Sequence, residues 1–200
     1  MSNKIYKFLP INAFTRDVLL TEKFHFGDWE KMNDPLEGFF QYSKNILTDS
    51  NIKDLYNEKN LYGICCFSEN YKNILMWSHY ADNHKGICIE VHVDKILCDQ
   101  EDIDIIKIDY IKSIATIANP DVNVKSLLSK KLTPWKYEKE IRLFSNGKNV
   151  QKKIGKITKI ILGPSISDKN KELISTYIGD RNLKIVQAKI NLNTSSINIR

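Results

Sequence analysis

Short segments rich in β-branched and aromatic residues recur along the chain and outnumber the segments with helical spacing. The strand candidates are KIYKFLP, KFHFGDW, LYGICCFS, GICIEVHV, IDIIKIDYI, YEKEIRLF, KITKIILG and LKIVQAKI. Only the C-terminal part places a helix between two strands, which is the order that a parallel pair requires. The pattern therefore predicts an α+β fold, with mixed or antiparallel sheets and flanking helices.

Helical segments are expected between several of these strands. NAFTRDVLL follows a polar Asn12, residues 39–60 are polar on one side, and NILMWSHYA precedes Gly86, which we expect to end its helix. We predict a helical connection in residues 112–133, with a loop at ANPD. We also predict a helix in SDKNKELISTYIG, with Ser167 as its N-cap. EKMNDPLEG is predicted to be a turn, because Asn-Asp-Pro is typical loop chemistry.

Length and composition favour one soluble globular domain. The chain has 200 residues, so we predict a single domain over residues 1–200. It has no apolar run long enough to cross a membrane, and its N-terminus lacks the apolar region of a secretory signal. The four cysteines form no CxxC pair, which favours a reducing, cytoplasmic compartment and predicts neither a disulfide nor a metal site.

The net charge is +6, and much of it comes from lysines in the C-terminal half. These lysines are Lys125, Lys130, Lys131, Lys136, Lys148, Lys152, Lys153, Lys156 and Lys159. A patch of this kind can face nucleic-acid phosphates. Scattered lysines are more often a solvated face, and we favour that interpretation.

The stretch LMWSHYADNHKG, residues 75–86, carries an unusual density of polar and titratable groups. On a helix, Trp77, Tyr80 and His84 would share one stripe, with His79 on an adjacent one. A zinc site would need His79, His84 and Cys88, whose spacing fits no standard site. Two interpretations remain: a hydrogen-bonded core, or one wall of a ligand cleft. We favour the cleft wall, since buried polar groups are costly unless paired.

A second polar cluster is WKYEKEIRLF. On a strand, Glu138, Glu140 and Arg142 would point to one face, opposite the apolar Ile141 and Leu143. Two carboxylates and a guanidinium on one face can bind a polar ligand or perform acid–base chemistry. The alternative is a solvent-exposed face with cross-strand ion pairs. We expect this cluster and Trp77–Tyr80 to face the same pocket.

Four segments in this order carry a resemblance: FHFGDWEKMNDPLEG, CFSENYKNILMWSHYADNHKGICIEV, WKYEKEIRLF and KITKIILGP. Together they resemble the bacterial domain of unknown function 2971, a family whose name gives no reaction. More distantly, the order of the strand YKF, the helix INAFTRDVLL, the segments CFS and NILMWSHYA, and the E-x-E of YEKEI is similar to ADP-ribosyltransferase-like toxins. This likeness is at the level of the fold and implies their split sheet.

The transferase likeness implies roles for particular residues. Glu140 or Glu138 would stabilise an oxocarbenium-like centre beside the nicotinamide ribose of NAD, and Tyr80 would stack on nicotinamide. The remaining positions would hold NAD or its acceptor: Tyr6 and Lys7 on the first strand, Ser68 bracing the glutamate, Trp77, His79 and Arg142 at the cleft, and Asn33 and Glu37 closing it.

The implied function is that of an NAD-using transferase that modifies a nucleic acid or a protein, as a toxin or anti-phage effector with an antitoxin as a further partner. Membrane association and a bound metal are not expected. Two alternatives stay open: a non-catalytic ligand- or nucleic-acid-binding module, and a structural role in which the motifs form a core network. NAD binding and nicotinamide release distinguish them.

Overall fold

The computed structural model describes residues 3–119 and 121–199 and has the α+β architecture that the sequence predicts. The chain divides into two compact units. The first comprises Met1–Phe24, Phe67–Cys98 and Lys153–Arg200, and the second comprises His25–Cys66 and Asp99–Lys152. Each unit is therefore built from separate stretches of sequence.

The strands, in chain order, are β1 Lys4–Leu9, β2 Lys23–Phe26, β3 Phe40–Tyr42, β4 Tyr62–Ser68, β5 Ile87–Val93, β6 Ile103–Lys107, β7 Asp109–Ile111, β8 Ala115–Ile117, β9 Lys130–Leu132, β10 Glu140–Asn146, β11 Val150–Lys153, β12 Gly155–Leu162, β13 Lys184–Asn191 and β14 Ser196–Ile199. The α-helices are α1 Ala13–Thr21, α2 Asp49–Lys59, α3 Ile74–Tyr80, α4 Lys95–Gln100, α5 Val124–Leu127 and α6 Asp168–Ile178. Two 3-10 helices span Trp29–Lys31 and Thr133–Glu138.

The first unit is organised around β5, which pairs antiparallel with β1 on one side and with β12 on the other. β12 pairs parallel with β13 across helix α6, and β13 pairs antiparallel with β14. This is the strand-helix-strand order that the C-terminal sequence predicts. Tyr6 of β1 also pairs with Ser68, the last residue of β4.

In the second unit β10 pairs antiparallel with β6, while β3 pairs with β8 and β7 with β9 in parallel. Its apolar core consists of Trp29, Leu47, Leu55, Ile64, Ile117, Val124, Leu127, Leu128 and Phe144. These residues come from stretches far apart in sequence, so the unit depends on long-range contacts.

Several sequence predictions are confirmed by the observed bounds. Asn12 caps α1 and Ser167 caps α6 through their side chains, because each accepts a backbone N–H of the first turn. The strands predicted at KIYKFLP, LYGICCFS, GICIEVHV and KITKIILG are β1, β4, β5 and β12. Their apolar side chains are largely buried, and β5 is buried on both faces apart from His92.

One long helical prediction is half right, because α2 covers the second half of residues 39–60, and the other is largely wrong. Residues 39–60 contain strand β3 before α2 begins after the capping box of Thr48 and Asn51. Residues 112–133 contain the strands β8 and β9, with only the four-residue α5 between them. In both segments tertiary pairing of short apolar runs outweighs local helical spacing.

Two local predictions near the candidate motifs also need correction. Helix α3 ends at Tyr80, not at Gly86, so His84 does not continue a helical stripe from Trp77. Strand β10 begins at Glu140, and Glu138 belongs to the preceding 3-10 helix, which ends at Lys139 with a positive φ of 45°. The kink at Lys139 breaks the expected strand alternation of Glu138 with Glu140 and Arg142.

Lys59 is the fully buried cation at the end of α2 in the second unit. Its Nζ lies 4.6–4.8 Å from the ring centroids of Trp29, Phe40 and Tyr56, and it donates a hydrogen bond to the Gly38 carbonyl. Burial lowers the pKa of Lys59 to about 8. The three rings and the carbonyl contact the ammonium favourably. Burial acts in the opposite direction, so this ammonium loses its proton more easily than that of an exposed lysine.

Candidate functional site

A row of polar side chains crosses the sheet of the first unit. Tyr6 of β1 is paired with Ser68 of β4 on one side and with Glu90 of β5 on the other. Glu90 is in turn paired with Lys159 of β12, beside an irregularity between Ile157 and Lys159. Residues paired in register point to the same face of a sheet, so four strands contribute polar groups to one face.

Glu90 is the most heavily hydrogen-bonded carboxylate of this row. Its Oε1 accepts Thr158 Oγ1 at 2.9 Å and lies 3.2 Å from Lys4 Nζ. Its Oε2 accepts the Tyr6 hydroxyl at 3.0 Å and Lys159 Nζ at 2.9 Å. Burial alone opposes ionisation, but these hydrogen bonds outweigh it and lower the pKa of Glu90 to about 2. Glu90 is therefore a carboxylate at neutral pH.

Aromatic and hydroxyl groups border this carboxylate. The rings of Tyr6 and Tyr71 lie 5.4 Å apart, and Ser68 is buried at the end of β4. Burial and the hydrogen bond to Glu90 raise the pKa of Tyr6, so its hydroxyl stays protonated and donates. Lys7 alternates to the opposite face of β1, where its Nζ lies 5.0 Å from the centroid of Phe67.

The backbone conformation of residues 75–86 explains much of the polarity of this stretch. Trp77 is fully buried, donates from Nε1 to the Tyr71 carbonyl at 2.6 Å, and meets Phe8 edge-on. After α3, Asp82, Asn83 and His84 all adopt a positive φ, between 46° and 71°. Asp, Asn and His tolerate this left-handed region better than other non-glycine residues. These three side chains therefore suit a tight turn between α3 and β5.

Gly86 serves close packing after this turn. A Cβ on Gly86 would lie 2.2 Å from the Leu9 carbonyl oxygen, too close for any side chain. The His84 carbonyl accepts the Ser165 N–H, which joins the turn to the segment after β12. His79 is exposed and its ring lies 6.1 Å from that of Tyr80. The sequence motif thus combines a buried Trp77, a left-handed turn and a more exposed His79–Tyr80 pair.

A second charged cluster lies in the interior of the second unit. Arg142, fully buried, binds Glu140 through two nitrogens, from Nε at 2.7 Å and from Nη2 at 3.2 Å. Its Nη1 donates to Glu37 Oε1 and to the Leu128 carbonyl. Lys131 Nζ binds Glu138 at 2.5 Å and Glu140 at 3.0 Å. Glu138, Glu140, Arg142 and Glu37 therefore belong to one network, which Lys131 completes.

The carboxylates of this network are not equivalent. Burial opposes ionisation of Glu140, but Arg142 and Lys131 outweigh it and lower its pKa to about 2. Burial raises the pKa of Glu37, against the influence of Arg142. Glu37 Oε2 is buried without a hydrogen-bond partner among residues 3–119 and 121–199. Three carboxylates thus face two cations, and the pKa of Glu37 is raised while that of Glu140 is lowered.

The predicted site residues therefore fall into two groups in different units. Tyr6, Lys7, Ser68, Trp77, His79 and Tyr80 belong to the first unit, and Asn33, Glu37, Glu138, Glu140 and Arg142 to the second. Asn33 is exposed in the loop where Asp34 accepts the Leu36 N–H. The shared pocket of Trp77–Tyr80 and Glu138–Arg142 stays a prediction.

Lys4 and Glu90 were not singled out from the sequence as site residues, and Lys159 was considered only as one of the C-terminal lysines. A usable signal existed for Glu90, because a carboxylate inside the apolar strand GICIEVHV must find partners when buried. The signal for Lys4 and Lys159 was weak, since lysine is common throughout the chain. Of the nine C-terminal lysines considered as a basic patch, seven lie within ion-pair distance of a carboxylate: Lys125, Lys130, Lys131, Lys148, Lys152, Lys153 and Lys159.

Other chemistry is sparse in the part of the chain that the structure describes. Cys65, Cys66, Cys88 and Cys98 form no disulfide among residues 3–119 and 121–199. Residues 3–119 and 121–199 contain no group of three or more His, Cys, Asp or Glu side chains arranged to hold a metal ion. Over the same residues, every helix is too short or too polar to cross a membrane.

Comparison with known protein families gives a match to part of the chain. Residues 76–143 match the model of a family described as "Protein of unknown function (DUF2971)". The matched segment runs from α3 into β10 and includes Glu90, Lys131 and Glu140. It supports the resemblance of the sequence motifs to the domain of unknown function 2971. Neither the search of curated proteins nor the search of solved structures finds a match to the chain.

Proposed function

We propose that the whole chain is a member of the DUF2971 family and acts as an ADP-ribosyltransferase-like enzyme, with NAD as its substrate and a nucleic acid or a protein as acceptor. The observation that carries this proposal is the row in which Tyr6, Ser68 and Glu90 share one face of the sheet. The proposed setting is a toxin or anti-phage effector controlled by an antitoxin in the cytoplasm.

The row supports a nucleotide ligand because of its mixture of groups. An ionised carboxylate and hydroxyls bind sugar hydroxyl groups, while the ammonium groups of Lys4 and Lys159 bind phosphate. The paired rings of Tyr6 and Tyr71 offer an aromatic border for a base. NAD carries all three kinds of partner, namely ribose hydroxyls, a diphosphate and aromatic bases.

In this proposal Glu90 is the carboxylate that faces the nicotinamide ribose. With a pKa of about 2, it keeps its negative charge at neutral pH and can stabilise a positively charged sugar carbon. Glu140 and Glu138 are the carboxylates that the transferase resemblance names. Both are bonded to the buried Lys131, whereas one partner of Glu90, Lys4, has a half-exposed side chain, and this difference favours Glu90 for the role. His79 and Tyr80 remain candidates for contacts to nicotinamide or the acceptor.

A non-catalytic ligand-binding module is the second candidate function. It is favoured by the complete pairing of Glu138, Glu140 and Arg142 inside the second unit. Groups held in this way support a rigid unit and leave no carboxylate of the E-x-E motif available for acid–base work. In that case the row around Glu90 would bind its ligand without turning it over.

Calorimetric titration with NAD, followed by a nicotinamide-release assay, tests the proposal and separates the two candidates. We expect NAD to bind and nicotinamide to be released, and we expect Glu90→Gln to lower release by about 10²–10⁴-fold. Glu172→Gln, an exposed change on α6, is the matched control and should behave as the wild type.

Each outcome of this assay has a distinct meaning. Binding without release would favour the non-catalytic module, and absence of NAD binding would contradict both the transferase proposal and NAD as the ligand. Release that survives Glu90→Gln but disappears in a folded Glu140→Gln or Glu138→Gln protein would return the catalytic role to the E-x-E motif.

A further inference from the structure

We propose that Lys4 is a specificity latch: it occupies the Glu90 carboxylate in the unliganded protein and leaves it for a ligand that carries an anionic group. This inference rests on the proposed function, because it concerns the same row. It adds a residue that neither the sequence motifs nor the family match singles out, and a rule for which ligands the row accepts.

The two ammonium groups on Glu90 differ in how firmly they are held. Lys159 Nζ lies 2.9 Å from Oε2, and its side chain is 16% exposed. Lys4 Nζ lies 3.2 Å from Oε1, and its side chain is 50% exposed. A half-exposed lysine has a long flexible stem and can exchange a carboxylate for water or another anion at little cost. Lys4 is therefore the exchangeable partner.

Departure of Lys4 would change what Glu90 can accept. All four hydrogen-bonding positions of the carboxylate are taken, by Lys4 and Thr158 on Oε1 and by Tyr6 and Lys159 on Oε2. A ligand hydroxyl therefore needs one of these partners to move. Thr158 and Tyr6 are fixed by their strands, whereas Lys4 can turn towards a ligand phosphate while the ligand hydroxyl takes its place.

The exchange favours ligands that carry both groups. A nucleoside diphosphate ester provides the anion that attracts Lys4 and the ribose hydroxyl that replaces it. A nucleoside without phosphate has to displace Lys4 from Glu90 into water, with no new anionic contact to offset the lost ion pair. The latch thus selects phosphorylated nucleotides over their nucleosides.

Calorimetric titration of two probes into three proteins tests the latch. The probes are NAD and nicotinamide riboside, which keeps the ribose hydroxyls and lacks the diphosphate. The proteins are the wild type, Lys4→Gln, and Lys169→Gln as a control at an exposed lysine of α6 in the same unit. We expect Lys4→Gln to lower NAD affinity about tenfold, the loss of one charged contact, and to raise riboside affinity several-fold. Lys169→Gln should change neither.

The latch predicts opposite effects of Lys4→Gln on the two probes, namely weaker binding of NAD and tighter binding of nicotinamide riboside. If Lys4→Gln weakens both probes equally, or changes neither, while the wild type still binds NAD, the latch is overturned and the proposed function is unaffected. If the wild type binds neither probe, the proposed function is overturned and the latch with it. Unchanged melting temperatures of the two variants would show that the affinities belong to folded protein.

Discussion

Glu140→Gln is expected to lower the free energy of unfolding by about 3–5 kcal/mol, because it breaks a buried ion pair and leaves its partners uncompensated. Arg142 is fully buried and bonded to Glu140 through Nε and Nη2, and Lys131 is 4% exposed. A glutamine keeps the shape but loses the charge, and its amide nitrogen would face an ammonium or a guanidinium. Urea unfolding followed by circular dichroism measures the loss.

Glu37→Gln is the matched control for this change. It makes the same carboxylate-to-amide change in the same network, yet burial already raises the pKa of Glu37 and its Oε2 has no hydrogen-bond partner among the described residues. Burial therefore already disfavours the charge that a glutamine removes, so the destabilisation should be clearly smaller than that of Glu140→Gln. Equal losses for the two variants would contradict our interpretation of the network, in which the charge of Glu140 contributes more than that of Glu37.

We expect the free energy of unfolding of the wild type to rise as the pH increases above 8. We expect this rise to be absent from Lys59→Met. Burial lowers the pKa of Lys59 to about 8, whereas an unfolded lysine titrates near 10.4. Between these values the unfolded state binds one more proton than the native state, so stability increases with pH. The contribution is about 1.4 kcal/mol per pH unit, or roughly 3 kcal/mol in total.

The measurement compares the two proteins at each pH, since other groups titrate in the same range. Burial raises the pKa of Cys88, and burial raises that of Tyr110 to about 12; both oppose the Lys59 effect by lowering stability at high pH. These contributions cancel in the difference between wild type and Lys59→Met. Parallel pH curves for the two proteins would show that burial among Trp29, Phe40 and Tyr56 does not depress the pKa of Lys59.

The strands were predictable where local pattern and burial agree. β1, β4, β5 and β12 each combine β-branched or aromatic residues with clear boundaries, such as Pro10 after β1. The pairing between them was not predictable, because Tyr6 and Glu90 are 84 residues apart and no local pattern encodes their register. The candidate site depends on that register, and so Glu90 was missed.

The second unit shows a different limit. Lys131 joins Glu138 to Glu140, but residues 112–133 were predicted to be helical, so strand β9 and the buried position of Lys131 were not expected. The left-handed turn at Asp82–His84 was missed for a related reason. Asp, Asn and His are permitted in that conformation without being restricted to it, and only the packing around Gly86 selects it.

The central claim is that the row around Glu90 binds NAD, and amide chemical-shift mapping by two-dimensional NMR during an NAD titration tests it most directly. Our account predicts saturable shifts for the amides of Tyr6, Ser68, Glu90 and Lys159, together with those of their strand neighbours. It predicts smaller changes around Lys59, which is enclosed by its aromatic box. Saturable shifts that leave the four row residues unmoved, or no saturable shift at all, would contradict the claim.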